Sequence, residues 1–318
     1  MNIIGPDALL FGVDDVAACA QYLTDYGLTP VDVTAAGGRF EALDGTAILI
    51  AHKDDASLPP SLGTASFLRQ TVYGVADTQT LDAIAAELRK DRHVERWPDG
   101  SIHAVDDAGF ALAFQLTVRR SLELPAERVN APGAPAQRPA NVVGVDGNLV
   151  VQPRTLSHVV YFVPDAAKAE AFYVDRLGFA CTDRFIGVGP FLRPAGTFDH
   201  HTLFMIETPP FMKGCEHFTF HLGGPTEVMQ AGAQLLEKGY QSFWGPGRHR
   251  FGSNWFWYFN SPLGCHVEYD ADMDLHDTDW IARAAPMGAD TSQLFLFQHR
   301  ENWAPGGPPA PEAVHSSS

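Results

Sequence analysis

The sequence is poor in cysteine, and its few cysteines form no recognisable pattern. Its four cysteines lie far apart and show no CxxC spacing; they are Cys19, Cys181, Cys215 and Cys265. This spacing predicts neither a disulfide framework nor a zinc site. Isolated cysteines of this kind are typical of small buried side chains in a reducing compartment. We therefore expect a cytoplasmic protein.

Basic residues and long hydrophobic runs are also scarce. The chain has 22 Lys and Arg residues against 38 Asp and Glu residues, a net charge of -16. This acidity argues against nucleic acid or an anionic membrane as a partner. No stretch approaches the roughly 18 apolar residues of a membrane span. The opening segment MNIIGPDALLFGVDD lacks a basic region and a long apolar run, so we expect no signal peptide.

The length of 318 residues is enough for two domains of ordinary size. A segment rich in Pro, Gly, Ala and Asn divides the chain and is typical of a linker. The end of the chain, PGGPPAPEAVHSSS, is typical of a loosely ordered tail. The predicted parts are an N-terminal domain at 1–120, a linker at 121–153, a C-terminal domain at 154–288 and a tail at 289–318.

The two halves of the chain repeat each other. Residues 6–28 align with residues 157–179 at a constant offset of 151, which pairs Gly27 with Gly178. Residues 71–88 resemble residues 218–235 in the same way. Each copy has the pattern of a strand, an amphipathic helix and further strands. The pattern predicts an α+β fold of two tandem domains, each with two βαβββ modules whose sheets form open, barrel-like cups with helices outside.

Comparison of the two halves singles out three polar residues of the C-terminal half. A polar residue that the fold requires should recur in the other half, and these three do not recur as a set. In our alignment His158 corresponds to Asp7, His217 to Gln70, and Glu268 to Ala113.

Each of the three residues has an ordinary explanation when taken alone. A histidine that opens an apolar strand, as His158 and His217 do, is more often a core or edge residue than a ligand. Glu268 either faces the surface or has a partner, because burial of an unpaired charge is costly. Together, two imidazoles and one carboxylate match the facial triad of non-haem Fe(II) sites, which leaves positions open for O2 chemistry. A structural zinc site would instead be closed and contain cysteines.

Four segments resemble the two-domain, type I extradiol dioxygenases of the vicinal-oxygen-chelate (glyoxalase/bleomycin-resistance) superfamily. The segments are HVVYFVPDAAKAEAFYVDRLGF, the pair His200-His201, CEHFTFHL and RHRFGSNWFWYFNSPLGCHVEY. The resemblance covers nearly the whole chain, with its motifs confined to residues 157–270. It implies that the N-terminal domain has no metal ligands. It also implies that Fe(II), or less often Mn(II), is held by His158, His217 and Glu268.

The resemblance also implies catalytic roles for three residues. His201 falls at the position of the family's acid/base histidine, with His200 as the nearest competitor. His249 and Tyr258 fall where the family contacts the substrate hydroxyl and oxygen. The implied reaction is O2-dependent ring cleavage of a catecholic substrate next to its two hydroxyls. We expect a small aromatic diol and O2 as partners, and a homo-oligomer.

Two positions depart from the family pattern. Trp257 precedes the tyrosine where an aliphatic residue or Phe is usual, and Ser261 begins a turn that usually starts with Asp, Glu, Asn, Thr or Ala. Neither change removes a ligand, but an indole beside Tyr258 could reshape the pocket. Two further histidines, His221 and His266, match no role in the family.

The aromatic residues of this region have two interpretations. Trp244, Phe251, Trp255 and Trp257 could line an apolar slot for an aromatic ring, or they could be ordinary core residues. Because side chains alternate along a strand, Trp255 and Trp257 cannot share a face with Tyr258.

Other functions remain open from the sequence alone. A hydroquinone-cleaving dioxygenase or a glyoxalase-like isomerase or lyase would keep the fold and the metal, the last with Zn, Ni or Co and commonly a fourth protein ligand. A non-catalytic small-molecule binding protein would need no metal triad, so the three ligand candidates count against that function.

Overall fold

The computed structural model describes residues 1–297. The first domain has eight strands and two helices. In chain order they are β1 (Ile3–Val13), α1 (Val16–Asp25), β2 (Thr29–Thr34), β3 (Gly37–Glu41), β4 (Ala47–His52), β5 (Leu68–Val75), α2 (Thr78–Leu88), β6 (Glu95–Arg96), β7 (Ile102–Val105) and β8 (Ala111–Leu116).

The second domain repeats this order and extends it, with a π-helical turn after its first helix. Its elements are β9 (Thr155–Val163), α3 (Ala166–Ala171), the π-helical turn (Phe172–Arg176), β10 (Ala180–Ile186), β11 (Gly189–Arg193), β12 (Leu203–Glu207), a 3-10 turn (Pro210–Met212), β13 (Gly214–His221), α4 (Pro225–Glu237), β14 (Ser242–His249), β15 (Trp255–Asn260), β16 (His266–Ala271), β17 (Arg283–Pro286), α5 (Ala289–Ser292) and β18 (Gln293–Leu296).

Each domain contains one mixed sheet made of two modules. The strand orders are β2-β3-β4-β1-β5-β8-β7-β6 and β17-β10-β11-β12-β9-β13-β16-β15-β14-β18. In every module the strand before the helix pairs in parallel with a later strand, as β9 does with β12 and β13 with β16. The modules join through antiparallel pairing of β1 with β5 and of β9 with β13. The predicted α+β class with two tandem domains is confirmed.

The same local signals start and end the helices of both domains. The carboxylates of Asp15 and Asp165 each accept a hydrogen bond of 2.9 Å from a backbone N–H three residues later. Such side-chain caps satisfy the free N–H groups at a helix start. After the helices, Gly27 and Gly178 adopt φ values of +104° and +75°, a conformation that favours glycine at a helix end.

These markers show where the repeat alignment changes. The capping residues Asp15 and Asp165 are 150 positions apart, whereas Gly27 and Gly178 are 151 positions apart. The π-helical turn lies between these markers in the second domain. A π turn accommodates one residue more than an α turn, because its hydrogen bonds span five residues instead of four. The predicted constant offset of 151 is therefore wrong before this turn.

The strand register gives the same result for the first ligand candidate. His158 lies opposite Thr219, and Thr219 lies opposite Glu268. In the first domain, Val72 lies opposite both Ala8 and Ala113. Ala113 is thus the counterpart of Glu268, as predicted, but the counterpart of His158 is Ala8.

The earlier pairing of His158 with Asp7 was wrong, and Asp7 has a structural role of its own. Its carboxylate is fully buried and accepts hydrogen bonds from Thr117 Oγ1 at 3.0 Å and Val118 N at 2.9 Å. The Arg119 guanidinium donates to it at 3.3 Å. Asp7 therefore fixes the segment that leaves β8.

The two domains share one hydrophobic core. The Phe110 ring stacks on Tyr161 with centroids 4.2 Å apart, and Phe11 contacts Phe218 at 5.7 Å. The Tyr161 hydroxyl also shares a hydrogen bond of 2.5 Å with Thr71 Oγ1. Each aromatic pair adds about 0.5–1.5 kcal/mol beyond its area burial. The first domain is thus packed directly behind the strands of the second.

The predicted linker has no regular structure. Within residues 1–297, no helix or strand falls between Leu116 and Thr155. The segment is nevertheless attached to α4, where Gln234 Nε2 donates to the Leu149 carbonyl at 2.7 Å. The domain boundaries around 121–153 stay a prediction.

The predicted tail is partly structured. Strand β18 pairs antiparallel with β14, and Trp244 Nε1 donates to Gln293 Oε1 at 3.0 Å. The prediction of a loosely ordered tail is therefore wrong for residues 289–296, because the edge of β14 offers backbone groups that this segment pairs with. The remainder, 298–318, lies outside the described residues.

No helix in the described part of the chain combines the length and the apolar character that crossing a membrane requires.

Candidate metal centre and active-site cavity

The three predicted ligands lie on three adjacent strands. His158 is on β9, His217 on β13 and Glu268 on β16, and these strands are neighbours in the sheet. Thr219 lies between the outer two: its hydroxyl donates to Glu268 Oε2 at 2.5 Å and is 2.9 Å from His158 Nε2. The strand order thus brings together residues that are up to 110 positions apart in sequence.

The ligand atoms converge on one point. One nitrogen of each histidine and one Glu268 oxygen all lie within 4.8 Å of one another. Glu268 Oε2 is 3.3 Å from His158 Nε2 and 3.5 Å from His217 Nε2. Adjacent ligands held about 2.1 Å from one metal ion would be about 3 Å apart. The cluster is therefore close to the size that a single cation requires.

Unpaired polar atoms support the same interpretation. His217 Nε2 and Glu268 Oε1 are buried and have no hydrogen-bond partner among the described residues. A buried polar atom without a partner is costly, and such atoms need an explanation in a native fold. A divalent cation held by these nitrogen and oxygen donors would supply the missing partner. The donor set fits Fe(II) or Mn(II), and it includes no cysteine.

Outer hydrogen bonds orient both imidazoles. Ser157 Oγ lies 2.8 Å from His158 Nδ1, and the Glu216 carboxylate bonds to His217 Nδ1. Glu216 also accepts from His266 Nδ1 at 2.8 Å. Partners of this kind fix the tautomer and the direction of a ligating histidine. Sequence reasoning missed Glu216, although its position directly before His217 was a signal.

The carboxylates of the site remain ionised. Burial raises the pKa of Glu268, but the adjacent His158 and His249 imidazoles outweigh burial and hold it well below its usual value. Burial likewise opposes ionisation of Glu216, yet His217 and His266 bring its pKa to about 2. Burial lowers the pKa of His217, and the adjacent Glu216 carboxylate more than compensates, so its pKa is raised. The negative charge favours a bound cation.

A cavity of about 430 Å³ lies against this cluster. Eight polar residues of the described chain line it: His158, His201, Glu216, His217, His249, Asn254, Tyr258 and Ser292. Aromatic side chains dominate the rest of the wall: Phe185, Phe191, Phe204, Phe243, Trp244 and Phe251. Among the described lining residues there is no lysine or arginine. The cavity thus suits an uncharged aromatic ring with a polar edge directed at the ligand cluster.

The three predicted catalytic residues face this cavity together. His249 Nε2 is 3.2 Å from the Tyr258 hydroxyl and 3.4 Å from Glu268 Oε1. The His201 ring lies with its centroid 4.3 Å from that of His158. The neighbouring His200 does not line the cavity and instead bonds to Asp183. This placement favours His201 over His200 as the residue that meets a substrate.

Trp257, the first position that departs from the family pattern, does not line the cavity. Trp257 lies on the opposite face of β15, where its ring packs so closely on Gly232 of α4 that a Cβ there would be 2.0 Å away. Its Nε1 donates to Ser242 Oγ at 2.8 Å. The expectation that this indole reshapes the pocket is therefore wrong, because strand alternation turns it away from Tyr258. Trp255 is also outside the lining.

Ser261, the second position that departs from the family pattern, makes its side-chain hydrogen bonds within its own turn. The Ser261 hydroxyl donates to the Cys265 carbonyl at 2.6 Å and accepts from Leu263 N at 3.2 Å. A serine supplies the local side-chain-to-backbone bonds that such a turn needs. The substitution leaves Glu268 in register on β16.

His221, which matched no predicted role, is a partly buried residue held between two carboxylates. Its Nδ1 is 2.7 Å from Asp270 Oδ1, and its Nε2 is 3.8 Å from Asp199 Oδ2. Burial lowers its pKa, but the two carboxylates outweigh burial and raise the pKa to about 10. The residue is not part of the cavity lining.

Comparison with known proteins agrees with this geometry. Residues 155–269 match the model of the Glyoxalase/Bleomycin resistance protein/Dioxygenase superfamily. The matched residues lie within the second domain. The resemblance predicted from the sequence motifs is confirmed at this level.

Two relatives of known name align with the chain. Metapyrocatechase 2 of Cupriavidus necator is 36% identical over 188 residues, which cover 59% of this chain and 55% of that protein. The chain therefore matches only about half the length of this relative. Biphenyl-2,3-diol 1,2-dioxygenase of Paraburkholderia xenovorans is 27% identical over 282 residues, covering 85% of this chain and 88% of that protein.

Solved structures share the two-domain fold. A Mn(II)-bound glyoxalase from Novosphingobium aromaticivorans has a TM-score of 0.72 at 21% identity, covering 98% of this chain and 96% of that one. The 2,3-dioxygenase LapB from a Pseudomonas species has a TM-score of 0.70 at 17% identity, covering 89% of this chain and 98% of that one. At these identities the likeness shows the fold alone.

Proposed function

We propose that this protein is an Fe(II)-dependent extradiol dioxygenase that opens the ring of a catecholic substrate with O2. One observation carries the proposal: the buried cluster of His158, His217 and Glu268 has unpaired ligand atoms and borders an apolar cavity. The names of the two aligned relatives support the same reaction class. Mn(II) is the alternative metal for this donor set.

Fe(II) at this site would supply a Lewis acid that lowers the pKa of a diol hydroxyl and a redox centre for O2. The aromatic walls bind the ring and exclude water, which strengthens the polar contacts inside the cavity. Two imidazoles and one carboxylate would hold the metal beside this cavity.

Tyr258 and His249 position the substrate oxygen. Burial, followed by the nearby Glu268 charge, raises the pKa of Tyr258 well above its usual value, so the phenol keeps its proton. Its hydroxyl is therefore a donor, held by His249 at 3.2 Å. A positioned donor of this kind is worth about 3 kcal/mol in a transition state.

His201 is the proton acceptor of the site. Burial and the neighbouring histidines lower the pKa of His201 well below its usual value, so the imidazole is neutral at pH 7. A neutral imidazole bordering the cavity accepts the proton that a diol hydroxyl must lose. The ring then returns that proton to the opened product.

The cavity also indicates the substrate class. Its described lining has no lysine or arginine to pair with a carboxylate, and six of its side chains are aromatic rings other than tyrosine and histidine. The proposed substrate is a catechol with an apolar, uncharged substituent. Exclusion of carboxylated catechols follows from the cost of burying an unpaired charge.

We also propose that the protein is cytoplasmic and forms a homo-oligomer. Four free cysteines agree with a reducing, cytoplasmic compartment. Exposed Phe198, Leu275 and Ile281 agree with a homo-oligomer.

Oxygen uptake tests the proposed function. The protein is loaded anaerobically with Fe(II), and O2 consumption is followed with matched alkyl-substituted, carboxylated and para-diol substrates. We expect uptake and a coloured ring-opened product with the alkyl catechol. Stoichiometric iron without O2 uptake on any diol would rule the proposal out. A glyoxalase-like isomerase is less favoured, because the cluster in the described chain has three ligand residues and those enzymes commonly have four.

A further inference from the structure

We propose that Asp183 and His200 hold His201 in the tautomer whose cavity-side nitrogen carries no proton. His200 is thus a positioning residue, and its catalytic meaning rests on the proposed function. The three side chains form a line from the cavity into the protein: His201 borders the cavity, His200 lies behind it, and Asp183 lies behind His200.

The contacts in this line are short and buried. His201 Nδ1 and His200 Nδ1 are 2.9 Å apart, and His200 Nε2 is 2.8 Å from Asp183 Oδ2. His200 and Asp183 are fully buried, and His201 is 5% exposed. The other nitrogen of His201, Nε2, has no hydrogen-bond partner among residues 1–297.

The carboxylate fixes the direction of the first bond. Burial raises the pKa of Asp183, but hydrogen bonds from His200 and Arg283 outweigh burial and bring it below its usual value. Arg283 donates its backbone N–H to Oδ1 at 2.8 Å and its guanidinium to Oδ2 at 2.5 Å. An ionised carboxylate only accepts, so His200 must carry its proton on Nε2.

The direction of the second bond follows from the first. A neutral His200 with its proton on Nε2 has a lone pair on Nδ1, so His201 must donate from Nδ1. His201 Nε2 is then unprotonated and borders the cavity as an acceptor. A positively charged His200 would reverse this bond, but Arg283 already balances the Asp183 charge, and a further positive charge on the fully buried His200 ring would be costly.

The surrounding backbone holds the His200 ring in place. His200 N donates to the Asp274 carbonyl at 2.8 Å, and Thr182 Oγ1 donates to the His200 carbonyl at 2.6 Å. Gly252, at φ +79°, approaches the ring so closely that a Cβ would be 3.1 Å from His200 Nδ1. These contacts fix the His200 backbone and show that Gly252 packs closely against the ring.

The proton balance is simple. When His201 Nε2 takes the proton of a substrate hydroxyl, the ring becomes an imidazolium and the substrate oxygen keeps the electron pair. The Nδ1–H stays hydrogen-bonded to His200, whose Nε2–H stays on the Asp183 carboxylate. No proton leaves the line, and the same proton is available at Nε2 for the product.

Nitrogen NMR tests the tautomer without relying on activity. The ring nitrogens of His201 are assigned in the full ¹⁵N-labelled chain, both metal-free and loaded with Zn(II). We expect the protonated nitrogen to be Nδ1 in both forms. A wild-type His201 protonated on Nε2 instead would overturn the inference.

Three variants test the role of the line. His200→Phe keeps a ring but removes the acceptor, whereas His200→Asn places an amide oxygen close to the position of Nδ1. We expect kcat to fall about 10–100-fold in His200→Phe, as outer-sphere partners typically contribute, with KM within about twofold. In His200→Asn the loss should be under about fivefold, because the acceptor is retained. His276→Gln, whose ring also packs on His200 at 5.3 Å, is the control and should keep wild-type kcat.

The outcomes separate this inference from the proposed function. A wild-type enzyme that opens no diol contradicts the proposed function, while the tautomer measured by NMR still decides the inference. Active wild type together with full kcat in a folded His200→Phe contradicts the inference alone. If His200→Phe does not fold, Asp183→Asn replaces it, and an unchanged His201 tautomer and kcat in that variant would count equally against the inference.

Discussion

The hydroxyl of Tyr26, in the first domain, donates a hydrogen bond of 2.5 Å to the backbone carbonyl oxygen of Glu268, in the second. Tyr269 returns a bond of 2.7 Å to the Tyr26 carbonyl, and the two rings stack with centroids 4.1 Å apart. The domain without ligands therefore holds the strand that carries one. This contact ties the first domain to the candidate metal centre.

Tyr26→Phe should weaken both the fold and metal binding. The change removes a buried hydrogen bond, which is worth about 1–2 kcal/mol in the free energy of unfolding. Because the bond holds the backbone of Glu268, Fe(II) affinity should fall as well. Urea unfolding and a chelator-competition titration measure the two effects.

Tyr22→Phe is the matched control for that experiment. Tyr22 packs at 6.5 Å from Tyr26, and its buried hydroxyl has no hydrogen-bond partner among the described residues. Its removal should cost little and leave metal affinity unchanged. Equal effects of the two substitutions would contradict the role assigned to Tyr26.

Glu268→Ala and Glu216→Gln should affect the metal to different degrees. Loss of the Glu268 carboxylate removes a ligand, so iron should no longer stay bound through gel filtration. Glu216→Gln keeps all three ligands but weakens the orientation of His217, and should lower metal affinity about 10–100-fold. Metal analysis by mass spectrometry measures both, with the exposed Glu237→Gln as the control. Full iron occupancy in Glu268→Ala would show that the ligand assignment is wrong.

Stability should fall as the pH rises from about 6.5 to 10, through His221. Its folded pKa is about 10 against an ordinary value of 6.5, so the folded state retains a proton that the unfolded state loses. The stabilisation is complete below pH 6.5 and is lost as pH rises through 10, by up to about 5 kcal/mol. Unfolding of the metal-free protein should therefore depend less on pH in His221→Gln. The exposed His52→Gln should keep the wild-type slope, and an identical slope in His221→Gln would refute the prediction.

Substitution of Trp257, which packs on α4, should mainly affect stability, whereas substitution of Trp244, in the cavity wall, should mainly affect KM. Trp257→Phe should lower the free energy of unfolding by about 1–3 kcal/mol through loss of core packing, and leave KM for a catechol unchanged. Trp244→Ala, in the cavity wall, should raise KM with a smaller loss of stability. Thermal unfolding and steady-state kinetics on both variants make the comparison. A changed KM in Trp257→Phe would mean that this indole reaches the substrate after all.

The sequence was sufficient to single out the candidate ligands because the chain is duplicated. Gln70 and Ala113 occupy the positions that His217 and Glu268 occupy in the other half. This difference indicates that His217 and Glu268 are not required for folding and are candidates for a function. Strand alternation further required that Trp257 and Tyr258 face opposite sides. What alternation could not decide was which side faces the cavity, since that depends on where α4 packs.

Contacts that depend on strand register could not be predicted from the sequence. Asp183 and His200 are 17 positions apart on β10 and in the loop before β12, and no sequence pattern sets their approach. The pairing of β18 with β14 likewise depends on an edge that only the assembled sheet presents. The error at Asp7 has a different cause, because an alignment anchored on the terminal glycines hides an inserted residue inside the helix.

The extra residue in the π-helical turn of the second domain determines which positions of the first domain could be engineered into a metal site. Positions before the π-helical turn correspond at a separation of 150, so the vacant ligand positions of the first domain are Ala8, Gln70 and Ala113. Ala8→His, Gln70→His and Ala113→Glu would place two imidazoles and a carboxylate on three neighbouring strands again. An imidazole at Asp7 would instead destroy a buried anion that the fold uses. A shift of one position in the alignment, from Ala8 to Asp7, thus decides whether the engineered histidine completes a second metal site or disrupts the fold.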